Sequence, residues 1–289
     1  MEQKSIFLPA IQEMREKRIS CRKAESFDAY LKRNGLENAK EKKGTIGYLS
    51  PQSFENLDPG LRAENIMVFR LGSLPETRGS AFGLACVSKT WDEYFFFDNA
   101  LFGKLEPEVF VPKVPYSALY SLALVPTLTE SSLANIAVAS GLISEALGAD
   151  PQGVPSIPAT GQSTYTFRFK PNTSYETIFE HRNGQVEIDG VFVCSIGGRA
   201  TVVVLEAKSG EFPSLAKHKL FYPMEALREK IPTFMPIIGI YLRVQKREQD
   251  LYFNLAICRS TRDDCGLSSI DSLRVTSARK IVLVGLHRI

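Results

Sequence analysis

Residues 185–210 read QVEIDGVFVCSIGGRATVVVLEAKSG, and their pattern predicts a β-hairpin. Gln185 to Ile196 is apolar and β-branched. Gly197-Gly198 suits a two-residue primed turn, whose central positions require positive φ. Arg199 to Ala207 is the return strand, with Thr201-Val202-Val203-Val204-Leu205 at its centre. With the two glycines as the turn, Ile196 pairs with Arg199, Asp189 lies opposite Glu206, and Glu187 lies opposite Lys208. Side chains alternate along a strand, so this register gathers all four groups on one face. Val186, Ile188, Leu205 and Ala207 are left to face a packed core. A slip of one residue would divide the polar groups between the two faces.

Carboxylates directly opposed across a ladder repel each other. A Mg²⁺ ion removes that penalty, because hard cations take oxygen ligands from one or two carboxylates and keep several waters. Lys208, two residues beyond Glu206, is within reach of whatever the ion binds. Two carboxylates, a divalent ion and an ammonium suit phosphodiester hydrolysis: the ion offsets phosphate charge and makes hydroxide accessible near neutral pH, and the lysine stabilises developing negative charge. Glu-x-Lys also occurs at Glu2/Lys4 and Glu41/Lys43, in polar surroundings that suit a solvated helix face. Only Glu206/Lys208 follows a strand-like run and has an acid placed opposite by a turn. The plainer alternative is a cross-strand ion pair between Glu187 and Lys208 on a wet sheet face.

Asp189, followed on the next strand by Glu206-Ala207-Lys208, resembles the PD-(D/E)xK nuclease superfamily, the restriction-endonuclease-like fold. The surrounding text extends the resemblance to a group of type II restriction endonucleases: GQSTYTFRF (Gly161 to Phe169), VEIDGVF, VVVLEAKSGE, then HKLFYP (His218 to Pro223). In that group a Gly-Gln-x-Ser stretch precedes an Ile-Glu-x-Asp-Gly strand, and an Ile-Glu-Ala-Lys strand and an Arg-Gln-Leu-Tyr-Tyr-Pro helix follow. The similarity runs from Gly161 to Cys258. Ile188 stands where the superfamily's name has Pro, and Lys219 where the helix usually carries Gln.

The resemblance implies Asp189, Glu206 and Lys208 as the catalytic set, with Asp189 and Glu206 holding Mg²⁺, for which Mn²⁺ can substitute. It implies a Mg²⁺-dependent endonuclease on double-stranded DNA: water oriented by Lys208 attacks phosphorus in line, leaving 5′-phosphate and 3′-hydroxyl ends. A type II restriction enzyme further implies a cognate DNA methyltransferase and, because both strands are cut, a homodimer or two successive events. Glu187 supports a second metal or pairs with Lys208. Related folds draw a further acid from a helix ahead of the hairpin, for which Glu176 and Glu180 are candidates in a helical stretch expected over Ser174 to Glu180. Gln162 and Ser163 are candidates for positioning DNA or water, and Lys217, Lys219 and Tyr222 for facing phosphates. Two other readings stay open: a structure-specific repair or recombination nuclease, and a non-catalytic DNA-binding protein with a relic site.

At 289 residues the chain has room for one large domain or two modest ones. Hydrophobic content of 44% and charged content of 23% describe a globular protein. A net charge of +3 permits nucleic-acid binding without arguing for it, so any DNA surface is a local patch. Five scattered cysteines without Cys-x-x-Cys argue against a zinc site or disulfide framework and fit a reducing cytoplasm. No stretch approaches bilayer length, and Pro9 cuts off Ile6-Phe7-Leu8 as the start of a leader. The expected fold class is α/β: a mixed sheet flanked by helices over residues 151–289, preceded by a mixed helical and β region over 1–150 that is a candidate for DNA recognition. The proline-bearing run 149–160 marks the boundary.

Residues 1–43 read as helical and basic, with eleven Lys or Arg against seven Asp or Glu. Ser26 caps a helix over Phe27 to Arg33 that Gly35 stops. Such a segment is either a phosphate-gripping arm or, more simply, salt-bridged surface helices. Asn65 to Leu71, Ala81 to Val87 and Tyr94 to Phe97 read as strands. Arg70, Arg78 and Lys89 among Trp91, Tyr94 and Phe95 offer a candidate DNA-facing surface, with Phe96 and Phe97 as core. Residues 105–114 read as a connector. Tyr116 to Leu124 and Thr129 to Leu147 read as packing helices, with Thr127 and Glu130 forming a capping box. His181 reads as a helix-end residue. After the hairpin come a helix over Ser214 to Lys230 containing Pro223, strands at Met235 to Val244, Leu251 to Cys258 and Lys280 to Leu286, and a loop from Arg259 to Asp271.

Overall fold

The computed structural model describes residues 5–74, 79–120, 124, 128–151, 157–210, 212–247 and 250–284. The first part of the chain forms α1 (Leu8–Lys17), β1 (Cys21–Ser26), α2 (Phe27–Arg33), α3 (Lys40–Leu49), α4 (Pro59–Ala63), β2 (Ile66–Arg70), β3 (Ala81–Cys86), β4 (Phe95–Phe97), α5 (Asp98–Phe102) and β5 (Glu108–Phe110). Then come α6 (Glu130–Ala139), α7 (Leu142–Leu147), β6 (Ala159–Phe169), β7 (Phe179–Ile196), β8 (Arg199–Lys208), β9 (Ser214–Ala216), α8 (His218–Arg228), β10 (Ile237–Arg247), β11 (Asp250–Arg259) and β12 (Arg274–Leu283).

The hairpin forms the β7–β8 pair of a seven-stranded sheet ordered β5-β12-β11-β10-β8-β7-β6. The β8–β10 and β5–β12 pairs are parallel and the others antiparallel, so the sheet is mixed. Helix α8 provides the crossover that a parallel β8–β10 pair needs. The protein is thus a mixed α/β fold with a large mixed sheet flanked by helices. Two smaller sheets, β1-β3-β2 and β4-β9, complete it.

The glycine turn forms as expected. Gly197 and Gly198 have φ of 56° and 75°, and the pairing runs from Ile196↔Arg199 to Gly190↔Leu205. Asp150 holds the turn from outside: its carboxylate accepts from the Gly197 and Gly198 amides at 3.2 and 3.0 Å and from the Ser195 hydroxyl. Alternation along β8 sends Val202 and Val204 into one buried cluster with α8, and Val203, Leu205 and Ala207 into another with α6 and α7.

Beyond Gly190 the expected register changes. Ala159 pairs with Val191 but Gly161 pairs with Ile188, so β7 spends one more residue than β6 at Asp189–Gly190. An extra residue of this kind is a β-bulge, and it reverses the faces of the residues before it. Val186 and Ile188 are buried, but in the α8 cluster rather than with Leu205 and Ala207. The single core face expected for all four residues is therefore split in two.

Other elements depart from the sequence reading for local reasons. Cys21–Ser26 is a strand paired with β3, inside the segment expected to be helical. Ser174 to Glu180 is not a helix: the Asn172 side chain accepts from the Ser174 amide in a turn, and β7 begins at Phe179, whose ring is buried. His181 lies within β7, buried between Phe167 and Tyr222 at ring distances of 4.7 and 4.9 Å. The 105–114 connector contains β5. The expected 129–147 helix breaks at Gly141, where φ is 82°, and its cap is Thr129, which accepts from the Ser132 amide. Ser214–Ala216 pairs with β4 before α8 begins. Arg78, Thr127 and Leu286 lie outside the described residues.

Several N-terminal basic residues are engaged with acids: Arg22 binds Glu13 and Glu25, Arg33 binds Glu25, Arg15 binds Glu64, Lys17 binds Glu13, and Lys40 binds Asp28. This is the salt-bridged surface reading. Ser26 caps α2 as expected, accepting from Ala29. Tyr94 and Phe95, expected to face DNA, are buried and Trp91 is half-buried, whereas Phe96 is core as expected and Phe97 is half-buried. Among the described residues, no helix is long and apolar enough to cross a membrane.

The small β1-β3-β2 sheet is keyed to the large one where the chain leaves β2. Gly72 bridges Arg182 in β7, and the Ser73 amide donates to the Arg182 carbonyl at 2.8 Å. A Cβ at Gly72 would lie 2.0 Å from the Arg182 oxygen, and one at Gly184 would lie 2.3 Å from the His181 ring. Gly72 also sits at φ +74°. Gly72→Ala is therefore expected to destabilise the fold by more than about 2 kcal/mol. Gly35→Ala, at a positive φ with open space around it, is expected to cost no more than about 1 kcal/mol. Chemical denaturation of the two variants checks the contrast.

Candidate active site

At the mouth of the hairpin β7 and β8 part company, and each takes its next partner from the other side. Ile188 and Glu187 pair with β6, whereas Leu205 to Lys208 run beside Ile240 to Arg243 of β10. The gap is closed by a side chain. Asp189, in the bulge, turns its carboxylate sideways, and Oδ2 accepts from the Ala207 amide at 3.0 Å.

Three acids meet one ammonium here. Lys208 Nζ lies 3.0 Å from Glu206 Oε1, 2.9 Å from Glu130 Oε2 and 3.9 Å from Asp189 Oδ2. Glu206 is only 3% exposed. Glu130 also accepts from the Ser209 amide at 2.9 Å. It opens α6, where the free N–H groups of a helix favour negative charge. Behind the cluster Arg243, itself buried, donates to the carbonyls of Gly210, Phe212 and Ser214 and to Asp98. That anchors the segment that follows Lys208.

Burial sets the proton affinities. It raises the Glu206 carboxyl to about 7, against the opposing pull of Lys219 and Lys208 and with a further push from Asp189. Burial also raises Asp189, with Lys208 and the Ala207 amide opposing. Burial alone would lower the Lys208 ammonium, but Glu206, Asp189 and Glu130 outweigh it and hold Lys208 well above its ordinary value.

Asp189, Glu206 and Lys208 are brought together, but through the bulge and the Asp189–Ala207 hydrogen bond rather than by the expected pairing of Asp189 with Glu206, which does not form. Glu187 is not with them. The bulge turns it outward to an exposed position opposite Gln162, and the Glu187–Lys208 pair does not form. Glu187 instead lines a cleft of about 290 Å³ with Lys219, Gln185, His218 and Arg70. Lys219 is half-buried on α8. Gln162 accepts from the Gln185 side chain at 2.9 Å, and Ser163 is exposed opposite Val186. Glu176 reaches toward Lys170 at 3.8 Å, and Glu180 sits on β7 opposite Arg168. Both line another hollow with Lys23 and Arg182. Tyr222 is buried, its hydroxyl on the Arg70 carbonyl, and Lys217 opens into a different cavity from Lys219.

The third carboxylate of the cluster, Glu130, is the residue the sequence reading missed. Its one local signal is that the Thr129 hydroxyl already caps the helix, which frees the neighbouring acid from that duty.

Asp189 and Glu206 suit a hard cation chemically: they are oxygen donors whose charge is partly withheld by burial, and they share one counter-ion. Among the described residues, no group of three or more His, Cys, Asp and Glu side chains would hold a metal by protein ligands alone. Mg²⁺ takes one or two carboxylates and completes its shell with water, so the pair fits that ion.

The fold and the cluster define a mixed α/β protein with a carboxylate–ammonium site at the open end of a central hairpin. Residues 98–276 match the family described as a domain of unknown function, DUF6997, and the chain belongs to that family. The matched span includes Glu130, Asp189, Glu206, Lys208 and Lys219. No curated protein and no solved structure matches the chain.

A carboxyl raised in the folded state makes the native protein bind more protons than the unfolded chain, so stability falls as pH rises between the two values. For Glu206 that window runs from 4.5 to about 7. Glu206→Gln is expected to flatten this fall and to be more stable than the parent at pH 8 by up to about 3 kcal/mol, with little difference at pH 4.5. Urea denaturation at the two pH values measures it.

Proposed function

We propose that the protein is a Mg²⁺-dependent endonuclease acting on double-stranded DNA, a type II restriction enzyme built on a restriction-endonuclease-like core. The observation that carries this reading is the meeting of Asp189, Glu206 and Lys208 on one ammonium where the hairpin opens. The finer reading of the fold is supported by the same place. The acid-bearing strand β8 ends beside a parallel neighbour reached through α8, and open α/β sheets bind ligands outside the carboxyl ends of their strands.

Asp189 and Glu206 would hold the metal ion, which when bound offsets phosphate charge and lowers the proton affinity of water. Asp189 is fixed by the Ala207 amide and Glu206 by burial, so the two donors are presented at little orientational cost. Lys208 stays charged because three acids hold its proton. It can therefore orient the attacking water and stabilise negative charge growing at phosphorus. Glu130 positions Lys208 by holding its ammonium at the mouth. Lys219, Arg70 and Gln185 line the adjoining cleft and are the groups offered to a DNA backbone. A homodimer would supply the second active site for the second strand, and a cognate DNA methyltransferase would protect the host.

Asp189→Ala, Glu206→Ala and Lys208→Ala are each expected to lower plasmid cleavage by about 100-fold or more, and chelation of Mg²⁺ to abolish it. DNA retention in a filter assay should persist. Discrete fragments from a plasmid panel support the restriction reading, and cutting confined to branched or flapped DNA supports a repair nuclease. If the intact protein binds DNA but cuts none with either Mg²⁺ or Mn²⁺, the enzyme reading fails and a relic site remains.

A further inference from the structure

On the other side of the α8 N-terminus from Lys219 lies a cavity of about 540 Å³ that the proposed nuclease chemistry does not use. Its buried cation is Lys217. This side chain is 6% exposed, and among the described residues its ammonium makes no hydrogen bond and no ion pair. The Phe96 ring lies 5.2 Å from Nζ. Buried ammonium groups are normally paired, because desolvation penalises an isolated charge.

The acids around the cavity do not supply the partner. Both oxygens of Asp271 are taken by Thr173, from its amide at 2.8 Å and its hydroxyl at 2.6 Å. Glu93 accepts from the Ser88 and Lys89 amides, and Asp92 is exposed. Asn172 lines the same cavity but is buried, and its side chain is turned toward the Tyr94 hydroxyl, so Lys217 is the buried donor open to a ligand. Arg274 and Lys89 add two exposed cations to the lining, while Phe96, Leu101 and Val275 give it apolar wall.

We propose that this cavity binds a small organic anion, with a carboxylate or phosphate head on Lys217 and Arg274 and an apolar body against Phe96, Leu101 and Val275. The volume lies within the ordinary range for small-molecule sites, which pair apolar walls with a few convergent polar groups. Burial pulls the Lys217 ammonium down to about 8, with Cys258 and Asp271 opposing. The amine therefore remains largely protonated at neutral pH and available to an anion. The site is separate from the carboxylate cluster and stands whether or not the chain cuts DNA.

Calorimetric titration at pH 7 in a non-phosphate buffer tests the proposal, with benzoate, phenyl phosphate and the neutral isostere benzamide as probes. Saturable binding of benzoate or phenyl phosphate, without binding of benzamide, is the expected result. The tighter of the two anions assigns the head as carboxylate or phosphate. Lys217→Met, which removes an unpaired buried charge, is expected to fold and to weaken the anion at least tenfold. Arg274→Gln, at an exposed position, is expected to weaken it several-fold and provides the check if Lys217→Met does not fold. Absence of saturation by both anions at millimolar concentration, equal binding of benzamide, or unchanged affinity in the folded variants would overturn the proposal.

Discussion

One extra residue in β7 determines how the rest of the molecule is arranged. Without the bulge at Asp189–Gly190, β7 and β8 would stay paired to their ends. Glu187 would then confront Lys208, and Val186 would share a core face with Leu205. With it, the strands separate, the residues before Asp189 change faces, and the aspartate is aimed along the sheet rather than out of it. Its carboxylate then makes the hydrogen bond to Ala207 that a backbone carbonyl would otherwise make. The bulge thus ends the ladder and furnishes the site in a single step.

The resulting cluster is electrostatically expensive. Glu206 is taken almost wholly out of water, and burying a carboxylate costs more than one ammonium shared with two other acids restores. The raised proton affinities of Glu206 and Asp189 are the signature of that imbalance. Structural ion-pair networks can shift proton affinities too. Here, however, the strained group lies where two strands have opened, beside a cleft lined by Lys219 and Arg70. Charge held in tension at an opening is suited to meeting a further cation and a phosphate.

Local chemistry made part of this legible. Gly-Gly demands positive φ, and that fixed the register as far as Gly190↔Leu205; Asp189 reaches Glu206 and Lys208 through the bulge instead. The bulge was hidden because it depends on how β6 pairs with β7, a contact between segments with little in their own residues to count it. Glu130 and Asp150 were hidden for the same reason: each acts on the hairpin across a long stretch of chain. β1 escaped because Cys21-Arg22-Lys23-Ala24-Glu25-Ser26 has no β-branched residue, so pairing with β3 rather than intrinsic preference makes it extended. Asn65 to Leu71, with Ile66, Val68 and Phe69, was read correctly on strand-favouring residues, and Ala81 to Val87 was read correctly as a short apolar run. The small-residue run after Thr129 was read as one helix because a lone glycine is tolerated in a helix, and only packing shows that Gly141 breaks it.

The hairpin is pinned at both ends by aspartates that act on backbone amides. Asp150 grips the turn and Asp189 grips Ala207. Between those two anchors the length of β8 is set like the distance between two rivets. Drift in the identity of Val202, Val203 or Val204 can be absorbed by repacking, but gain or loss of a single residue there cannot. In descendants of this sequence the interval from the turn to Lys208 should therefore be inherited more strictly than the residues that fill it.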